Sequence, residues 1–455
     1  MTESTATDTR SSVFRRSFRK QFPVAVRGEG SFIWDADGKR CIDLAGSAAV
    51  NFIGHGIPEI SAAMAEQASN LEFVHTSQFT TAIAEQYAQE LLAFAGDHFR
   101  DGAVYFTSGG SESIETALKL ARQYQVESGQ PHRYQVLSRH QSYHGSTLGA
   151  LAVSGNKRRR EIYLPMVREF PHIAIPYSYR CVFDCADGCQ TCGKQYAAEL
   201  ERVVSDANGE MAAFLCEPVS GATLGAAVPP KDYLLFIEEI CGRHGILLIA
   251  DEVMTGMGRT GRNFAVDHWD VKPDILVTAK GLSSGYVPLG AVIASKKVVD
   301  AIAFGSGVFL HGFTYNAHPI SLAAGRAVLH HLLERKLVQA ADSSQVGTSA
   351  NEFKGQLEGL RDLEHVGDVR GIGLLWGIEF VADKKSKLPF AAEHNFAGRV
   401  AVAARNRGLL VYPMQGCVDG NTGDHLLLAP PAIITTEQIA DSIAELRSAI
   451  LEAGE

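Results

Sequence analysis

The chain has 455 residues, of which 46% are hydrophobic and 20% are charged, so it can bury a large core as one very large domain or as two or three ordinary ones. Its net charge of −9 provides no basic footprint for nucleic acid, and no apolar run approaches the roughly 20 residues that cross a bilayer. The polar N-terminus lacks the apolar segment of a secretory signal. We therefore expect a cytoplasmic protein with neither a nucleic acid nor a membrane as its partner.

The first predicted elements are a β-hairpin at residues 31–44 and a helix after it. The hairpin turns at Asp37-Gly38 between apolar positions. A glycine-containing loop then leads to the helix, which is opened by Pro58, a residue suited to the first helical position. Residue 49 in this loop is a small alanine.

A strand, a glycine turn and a helix follow near residue 104. The strand VYFT ends at Ser108, and the sequence SGGSE continues into a helix with apolar residues at helical spacing. Backbone N–H groups at the start of a helix form an anion site, so Gly109, Gly110 and Ser111 are candidates for binding a phosphate. Taken alone the pattern is weak, because many strand–helix turns contain glycine.

Further strands alternate with helices up to about residue 300. The strand Tyr134–Ser138 precedes the sequence Tyr143-His144-Gly145, and the strand Met211–Cys216 ends in the sequence EPVSG, which begins at Glu217. Each of these polar residues could equally be an ordinary core or strand-end side chain. The alternation of strand and helix predicts a mostly parallel sheet and an α/β fold.

Two apolar strands then end in residues that suit a Schiff-base site. ILLIA has no polar alternation, as expected of a buried parallel strand, and it ends at Asp251; ILVTA ends at Lys280. Partial desolvation makes a lysine amine nucleophilic, and a carboxylate can keep a pyridine nitrogen protonated. The alternative is a salt bridge, or two unrelated charges at strand ends.

These motifs carry a family resemblance. The sequences DEVMTGMGRTG and TAKG, 29 residues apart from Asp251 to Lys280, resemble those of the class III aminotransferases, which use pyridoxal phosphate (PLP) on the type I fold. Similar matches occur in SGGSE, YHG, EPVSG and HGFTY, so the resemblance extends along nearly the whole chain. It implies that Lys280 and Asp251 are catalytic, with Lys280 as the Schiff-base lysine and Asp251 at the pyridine nitrogen.

The resemblance also implies residue roles around the cofactor. Those expected to bind the cofactor are Gly109, Gly110 and Ser111 at its phosphate, Tyr143 against the ring with His144 beside it, Glu217 near the substrate, Val253 under the ring, and Thr314 at the phosphate of the neighbouring subunit. The last role implies a homodimer with shared active sites.

The same family implies the domain organisation. We expect an N-terminal segment, residues 1–70, that contributes to a small domain; a large PLP-binding domain, residues 71–325, with a mostly parallel sheet; and a C-terminal small α+β domain, residues 326–455. Predicted strands near residues 368–380, 408–413 and 425–431 belong to the last unit.

The implied reaction is transamination between an amine or ω-amino acid donor and a keto acid acceptor. An aminomutase, an amino-acid epimerase or a decarboxylase uses the same cofactor chemistry, so these activities remain alternatives. A silent binding protein on this fold is a rival of another class, but Lys280, Asp251 and the glycine loop together argue against it.

The substrate expectation comes from two places where the chain departs from relatives. Many amine-specific members have tryptophan where this chain has Ala49, and many relatives bind the acceptor carboxylate with an arginine near the C-terminus. Residues 408–430 contain neither Arg nor Lys. Either the run Arg158–Arg160 serves instead, or the pocket is roomy and weakly selective for anions, with pyruvate as the favoured acceptor.

Four of the 8 cysteines are clustered. They are Cys181, Cys185, Cys189 and Cys192, at spacings within the zinc-ligand range. A surface loop that carries thiols is the expected interpretation, and we assign no metal from the sequence. Disulfides are not expected without a secretory signal.

Overall fold

The N-terminal residues form an antiparallel sheet at one end of the protein, of which the computed structural model describes residues 11–183, 189 and 192–455. The strands are β1 (Ala25–Glu29), β2 (Phe32–Asp35) and β3 (Arg40–Asp43). Phe32 pairs with Ile42 across the hairpin, and Gly38 has a φ of 82° in the turn. The hairpin predicted for this segment is therefore present.

A seven-stranded sheet forms the centre of the protein. Its strands are β4 (Ala103–Thr107), β5 (Gln135–Arg139), β6 (His172–Ile173), β7 (Met211–Cys216), β8 (Leu247–Asp251), β9 (Ile275–Thr278) and β10 (Gly290–Ala294). Their order is β4-β10-β9-β8-β7-β5-β6. Strands β6, β5, β7, β8 and β9 are parallel, and β10 is antiparallel to both of its neighbours. The expectation of a mostly parallel sheet is confirmed.

Helices cover the central strands of this sheet, and β7 and β8 are accordingly apolar up to the residues that end them. Every residue of β8 is buried, and its side chains alternate between two apolar layers. Leu247 and Ile249 pack in one layer, and Leu248 and Ala250 pack in the other. The period-two alternation of a strand explains this division, and burial on both faces explains why Asp251, at its end, is the only polar residue of β8.

The helices in the first half of the chain are α1 (Gly46–Ala49), α2 (Pro58–Asn70), α3 (Ala82–Ala95), α4 (Gly110–Glu127), α5 (Leu148–Val153), α6 (Lys157–Arg160) and α7 (Gly193–Asp206). Those in the second half are α8 (Tyr233–His244), α9 (Lys296–Phe304), α10 (Pro319–Glu334), α11 (Leu337–Ala340), α12 (Ser349–Glu358), α13 (Phe396–Asn406) and α14 (Thr436–Gly454). Among the described residues, no helix combines the length and apolar character needed to span a membrane.

The C-terminal part contains a second antiparallel sheet. Its strands are β11 (Val366–Ile372), β12 (Leu375–Phe380), β14 (Tyr412–Gln415) and β15 (Asp424–Leu428), in the order β11-β12-β15-β14. Strand β13 (Leu409–Leu410) instead pairs in parallel with β3, which joins the C-terminal part to the N-terminal hairpin. The boundary expected between residues 325 and 326 falls inside the continuous helix α10.

Candidate active site

A cleft of about 330 Å³ lies where the parallel strands end, as is general for α/β sheets. Strands β7, β8 and β9 and the N-terminus of α4 meet there. The residues around it include nine that the sequence singled out: Gly109, Gly110, Ser111, Tyr143, His144, Glu217, Asp251, Val253 and Lys280. Residues separated by up to 171 positions in the chain are thus brought to one site.

Asp251 and His144 form a buried pair on one side of the cleft. Nδ1 of His144 lies 2.7 Å from Oδ2 of Asp251, and both residues are almost completely buried. Oδ1 of Asp251 accepts a hydrogen bond from the backbone N–H of Val253 at 3.1 Å. Because a carboxylate only accepts hydrogen bonds, the imidazole donates from Nδ1. The pair holds a negative charge at the base of the cleft.

Lys280 begins the short turn after β9 and lines the same cleft. Strands β8 and β9 are paired in register, Asp251 opposite Val277, so the carboxylate and the amine follow neighbouring strands. Burial lowers the pKa of the Lys280 amine to about 8, and the charges of Asp251 and Glu217 oppose a larger fall. The amine is therefore far more nucleophilic near neutral pH than an exposed lysine.

Glu217 is buried next to this pair and is held by backbone donors. Its Oε1 accepts from the N–H of Gly221 at 3.0 Å, and its Oε2 accepts from the N–H of Tyr143 at 3.4 Å. Burial raises the pKa of Glu217, although His144 opposes this effect. Glu217 thus fixes the backbone of the segment that carries Tyr143.

The glycine turn before α4 forms another part of the wall of the cleft. Gly109 caps the helix without any side-chain hydrogen bond, which leaves the first N–H groups directed at the cleft. A Cβ on Gly110 would lie 3.0 Å from Cγ1 of Val253. A Cβ on Gly145 would come within 2.7 Å of the Ser111 hydroxyl. Close approach of backbone and side chains explains these glycines.

The chemical groups of the cleft match those of PLP without reference to the family resemblance. The free N–H groups at the start of α4 suit a phosphate, the Asp251 carboxylate suits a protonated pyridine nitrogen, and Lys280 supplies an amine of lowered pKa. Tyr143 and Val253 provide an aromatic and an aliphatic surface for a flat ring. Each part of the cofactor has a matching group.

Arg159 is a cation that the structure places beside Tyr143. Its guanidinium carbon lies 4.1 Å from the centre of the Tyr143 ring, and its Nη2 is 4.0 Å from the sulfur of Met414. The neighbouring Arg158 donates to Gln415 at 3.1 Å, and Arg160 donates to the carbonyl of Ser154 at 3.0 Å. Of the run Arg158–Arg160, Arg159 therefore has the stacking position over a residue of the cleft.

Two residues given roles in the sequence lie outside the cleft of this chain. Thr314 is exposed on a turn and is not among the residues that line the cleft, so its expected role at a neighbouring subunit stays a prediction. Ala49 is buried against Val219 and Ala222 instead of facing the entrance, and Val50 lines the cleft in its place. Because Val219 and Ala222 line the cleft themselves, the effect of the small residue 49 on the pocket stays a prediction.

Several lining residues were given no role in the sequence. They include Val50, Val219, Ala222, Met254, Ser283 and Leu289. Some could have been found from the motifs themselves, since Val219 and Ala222 belong to or follow EPVSG and Met254 follows Val253. Ser283 and Leu289 lie beyond Lys280 in a loop whose path the sequence pattern does not indicate.

Comparison with known proteins identifies the family of the chain. The family model for class III aminotransferases matches residues 14–450. The uncharacterized aminotransferase YodT of Bacillus subtilis is 38% identical over 425 residues, which cover 93% of this chain and 94% of that protein.

Solved structures also resemble the chain. An (S)-enantioselective omega-transaminase from Thermomicrobium roseum has a TM-score of 0.88 at 36% identity, covering 96% of this chain and 94% of that one. An amine transaminase from an uncultivated Pseudomonas species, in a PLP-bound form, has a TM-score of 0.89 at 33% identity over 100% of both chains. The chain therefore belongs to the class III aminotransferases, which are PLP-dependent enzymes.

Proposed function

We propose that this enzyme transfers the amino group of an amine or ω-amino acid to a short keto acid, with pyruvate as the favoured acceptor. The observation that carries the proposal is the single cleft that unites Lys280, the Asp251–His144 pair and the glycine turn before α4. An omega-transaminase among the similar structures supports an amine donor.

Lys280 is assigned the role of the group that transfers the proton. PLP, when bound, supplies an electron sink that stabilises negative charge at the substrate carbon. The Lys280 amine, with its pKa lowered to about 8, is suited to accept a proton from that carbon and to return it on the way to product. General acid–base catalysis of this kind contributes typically about 10²–10⁴-fold.

The other residues of the cleft are assigned to binding and orientation. Asp251, oriented by His144, would hold the pyridine nitrogen and favour its protonated form. The N–H groups of Gly109, Gly110 and Ser111 bind the phosphate. Because Glu217 accepts from the N–H of Tyr143 at 3.4 Å, Glu217 positions the ring against which the cofactor stacks.

A homodimer with shared sites completes the proposal. Residues 73–79 and 310–316 include polar side chains as well as Phe79, Leu310 and Tyr315, which are 65%, 81% and 61% exposed. We call these exposed apolar side chains and their two segments the exposed apolar strip. Thr76 donates to Asn316 at 3.1 Å, which ties the two segments together. Large exposed apolar patches usually mark an interaction surface.

The strip also lies next to the active site. Tyr315 lines a cavity that shares Ser108 and Leu289 with the cleft. In a two-fold interface each patch meets its own equivalent. Thr314 of one subunit would then approach the phosphate end of the other subunit's cleft, the role that the family resemblance gives it.

The choice of acceptor depends on where positive charge is available. The β14–β15 loop has no Arg or Lys, and its Asp419 accepts hydrogen bonds from Asn421 and Thr422 of the same loop. Arg159 is held over Tyr143 and helps to lower the pKa of Lys280, so its charge reaches the cleft. Arg259 also lowers this pKa, but its guanidinium donates to the backbone carbonyls of Pro430 and Asn51. With Arg159 as the remaining cation, the cleft suits the single carboxylate of pyruvate better than the two of 2-oxoglutarate.

A half-reaction experiment tests the function. Purified PLP-loaded enzyme is mixed with an amine in the absence of an acceptor, and the cofactor absorbance and the keto product are measured together. A transaminase gives about one keto product per active site and stops until pyruvate is added. An epimerase, an aminomutase or a decarboxylase turns over its substrate without that stop, which would overturn the proposal. A panel of amines and keto acids then identifies the pair with the highest kcat/KM.

A further inference from the structure

Three cysteines that do not line the active-site cleft come together in the segment between Tyr143 and Glu217. Cys181 follows the short helical turn Ser178–Arg180, and Cys192 immediately precedes helix α7. The sulfur atoms of Cys181, Cys189 and Cys192 all lie within 4.8 Å of one another. Cys189 and Cys192 are only 2% and 1% exposed, so this is a built cluster and not a set of thiols scattered over a surface loop.

The spacing of the sulfur atoms fits tetrahedral metal coordination. A zinc–sulfur bond of about 2.3 Å places two thiolates of a tetrahedral site about 3.8 Å apart. The Sγ atoms of Cys181 and Cys192 are separated by 3.8 Å, nearly twice the bond length of a disulfide. Cys189 and Cys192 also have two residues between them, which is a common spacing for structural zinc ligands.

We propose that Cys181, Cys189 and Cys192 bind a structural Zn²⁺ ion in the reduced protein. Soft thiolate ligands select zinc over the hard cations Mg²⁺ and Ca²⁺. Cys192 is disulfide-bonded in the structure, so oxidation of this thiol and metal binding exclude one another. The fourth clustered cysteine, Cys185, lies outside the described residues, and the proposal rests on the three that are described.

The position of the cluster indicates what the metal would stabilise. The Tyr196 hydroxyl of α7 lies 3.5 Å from the Cys181 sulfur and donates to it. On the other side, Arg180 donates from Nε to the buried Glu379 of β12 at 2.7 Å, and Tyr177 donates to the same carboxylate. A bound ion would therefore fix the segment around the turn Ser178–Arg180, which contacts α7 on one side and the C-terminal sheet on the other.

Metal analysis of the intact enzyme tests the site. The full chain, loaded with PLP, is expressed with added zinc, purified under reducing conditions and assayed for bound metals by mass spectrometry. About one zinc ion per chain is expected. Cys181→Ala and Cys189→Ala should each lose most of it, whereas Cys41→Ala, a buried thiol on strand β3, should retain it.

Several outcomes would overturn the inference. These are wild-type enzyme with no zinc, zinc that survives both substitutions, or iron in place of zinc. Titration of thiols in the denatured wild-type chain counts the reduced cysteines. This count does not depend on the folding of any variant. A Cys192 disulfide that persists in the reduced preparation would also reject the site. Removing zinc with a chelator should lower the Tm while the absorbance of bound PLP remains.

Discussion

Nδ1 of His144 donates to Oδ2 of Asp251 at 2.7 Å, with both side chains buried beside the cleft. The backbone around His144 is fixed separately, because its N–H donates to the Ser154 hydroxyl at 2.8 Å. The carboxylate is held from the other side by the N–H of Val253. His144 is therefore a positioning residue that sets the direction of the Asp251 charge.

The first prediction follows from this pair. His144→Gln should lower kcat about tenfold or more with little change in KM for the amine, since hydrogen bonds to charged groups are worth about 1.5–3 kcal/mol. The pH at which the absorbance of bound PLP titrates should also shift, because a misdirected carboxylate stabilises the pyridine proton less. Asp251→Asn, which removes the charge, should retain PLP but lose turnover by orders of magnitude.

The matched control is His172→Gln. This half-buried histidine stacks on His140, with ring centres 5.7 Å apart, and does not line the cleft. It should leave both kcat and the PLP titration unchanged. Near-normal turnover in Asp251→Asn would contradict the role assigned to the pair.

The second prediction concerns the identity of the reactive lysine. Purified enzyme should be yellow, and borohydride should attach PLP irreversibly to Lys280. Lys280→Ala should lose transamination almost completely because the proton-transferring amine is gone. Lys272→Ala is the control, since Lys272 is exposed and pairs with Asp270. Peptide mapping that finds the adduct on another lysine would reject the assignment.

The third prediction concerns pH. The pKa of Lys280 is lowered to about 8, so roughly one amine in ten is neutral at pH 7, compared with fewer than one in a thousand for an ordinary lysine. Only the neutral amine attacks an aldehyde. The rate at which apoenzyme takes up PLP and turns yellow should therefore rise with pH and level off above about 8.

A variant tests the sign of this effect. The charge of Asp251 raises the pKa of Lys280, so Asp251→Asn should move the midpoint of the pH profile to lower pH. Lys272→Ala should leave the profile unchanged. A midpoint near 10 in the wild-type apoenzyme would show that the amine is not desolvated.

The fourth prediction concerns assembly. The enzyme should sediment as a dimer that buries roughly 2,000–5,000 Å² or more, the size of obligate interfaces. Leu310→Asp should weaken the dimer, because it places a charge in the exposed apolar strip. Thr314→Ala should keep the dimer but weaken PLP binding about tenfold, by loss of one hydrogen bond to a charged group.

Val346→Asp provides the control for the dimer. This residue is equally apolar and exposed, but it lies outside the strip of residues 73–79 and 310–316. It should change neither sedimentation nor PLP affinity. A fully active monomer of the wild-type chain would exclude a shared active site.

The main features of the fold and much of the site could be predicted from local sequence signals. Apolar runs ending in Asp251 and Lys280 indicate buried strands because parallel sheets bury both faces. The position of Ala49 could not be predicted, since α1 has left-handed φ angles at Ser47, Ala48 and Ala49, a conformation that costs about 1–2 kcal/mol per residue outside glycine. Only tertiary contacts can stabilise it. The stacking of Arg159 on Tyr143 likewise could not be predicted, because it depends on the tertiary path that brings α6 back to Tyr143.

The fifth prediction concerns the acceptor. The wild-type enzyme should have a kcat/KM for pyruvate at least equal to that for 2-oxoglutarate, because residues 408–430 provide no cation for a second carboxylate. Arg159→Gln should raise KM for pyruvate several-fold and leave KM for an uncharged amine unchanged. Arg158→Gln is the matched control and should affect neither, because Arg158 donates to Gln415 and its charge acts on Asp424, neither of which lines the cleft. A preference for 2-oxoglutarate of tenfold or more, about 1.4 kcal/mol of differential transition-state binding, would reject the proposed acceptor. An unchanged KM for pyruvate in Arg159→Gln would reject the role of this arginine.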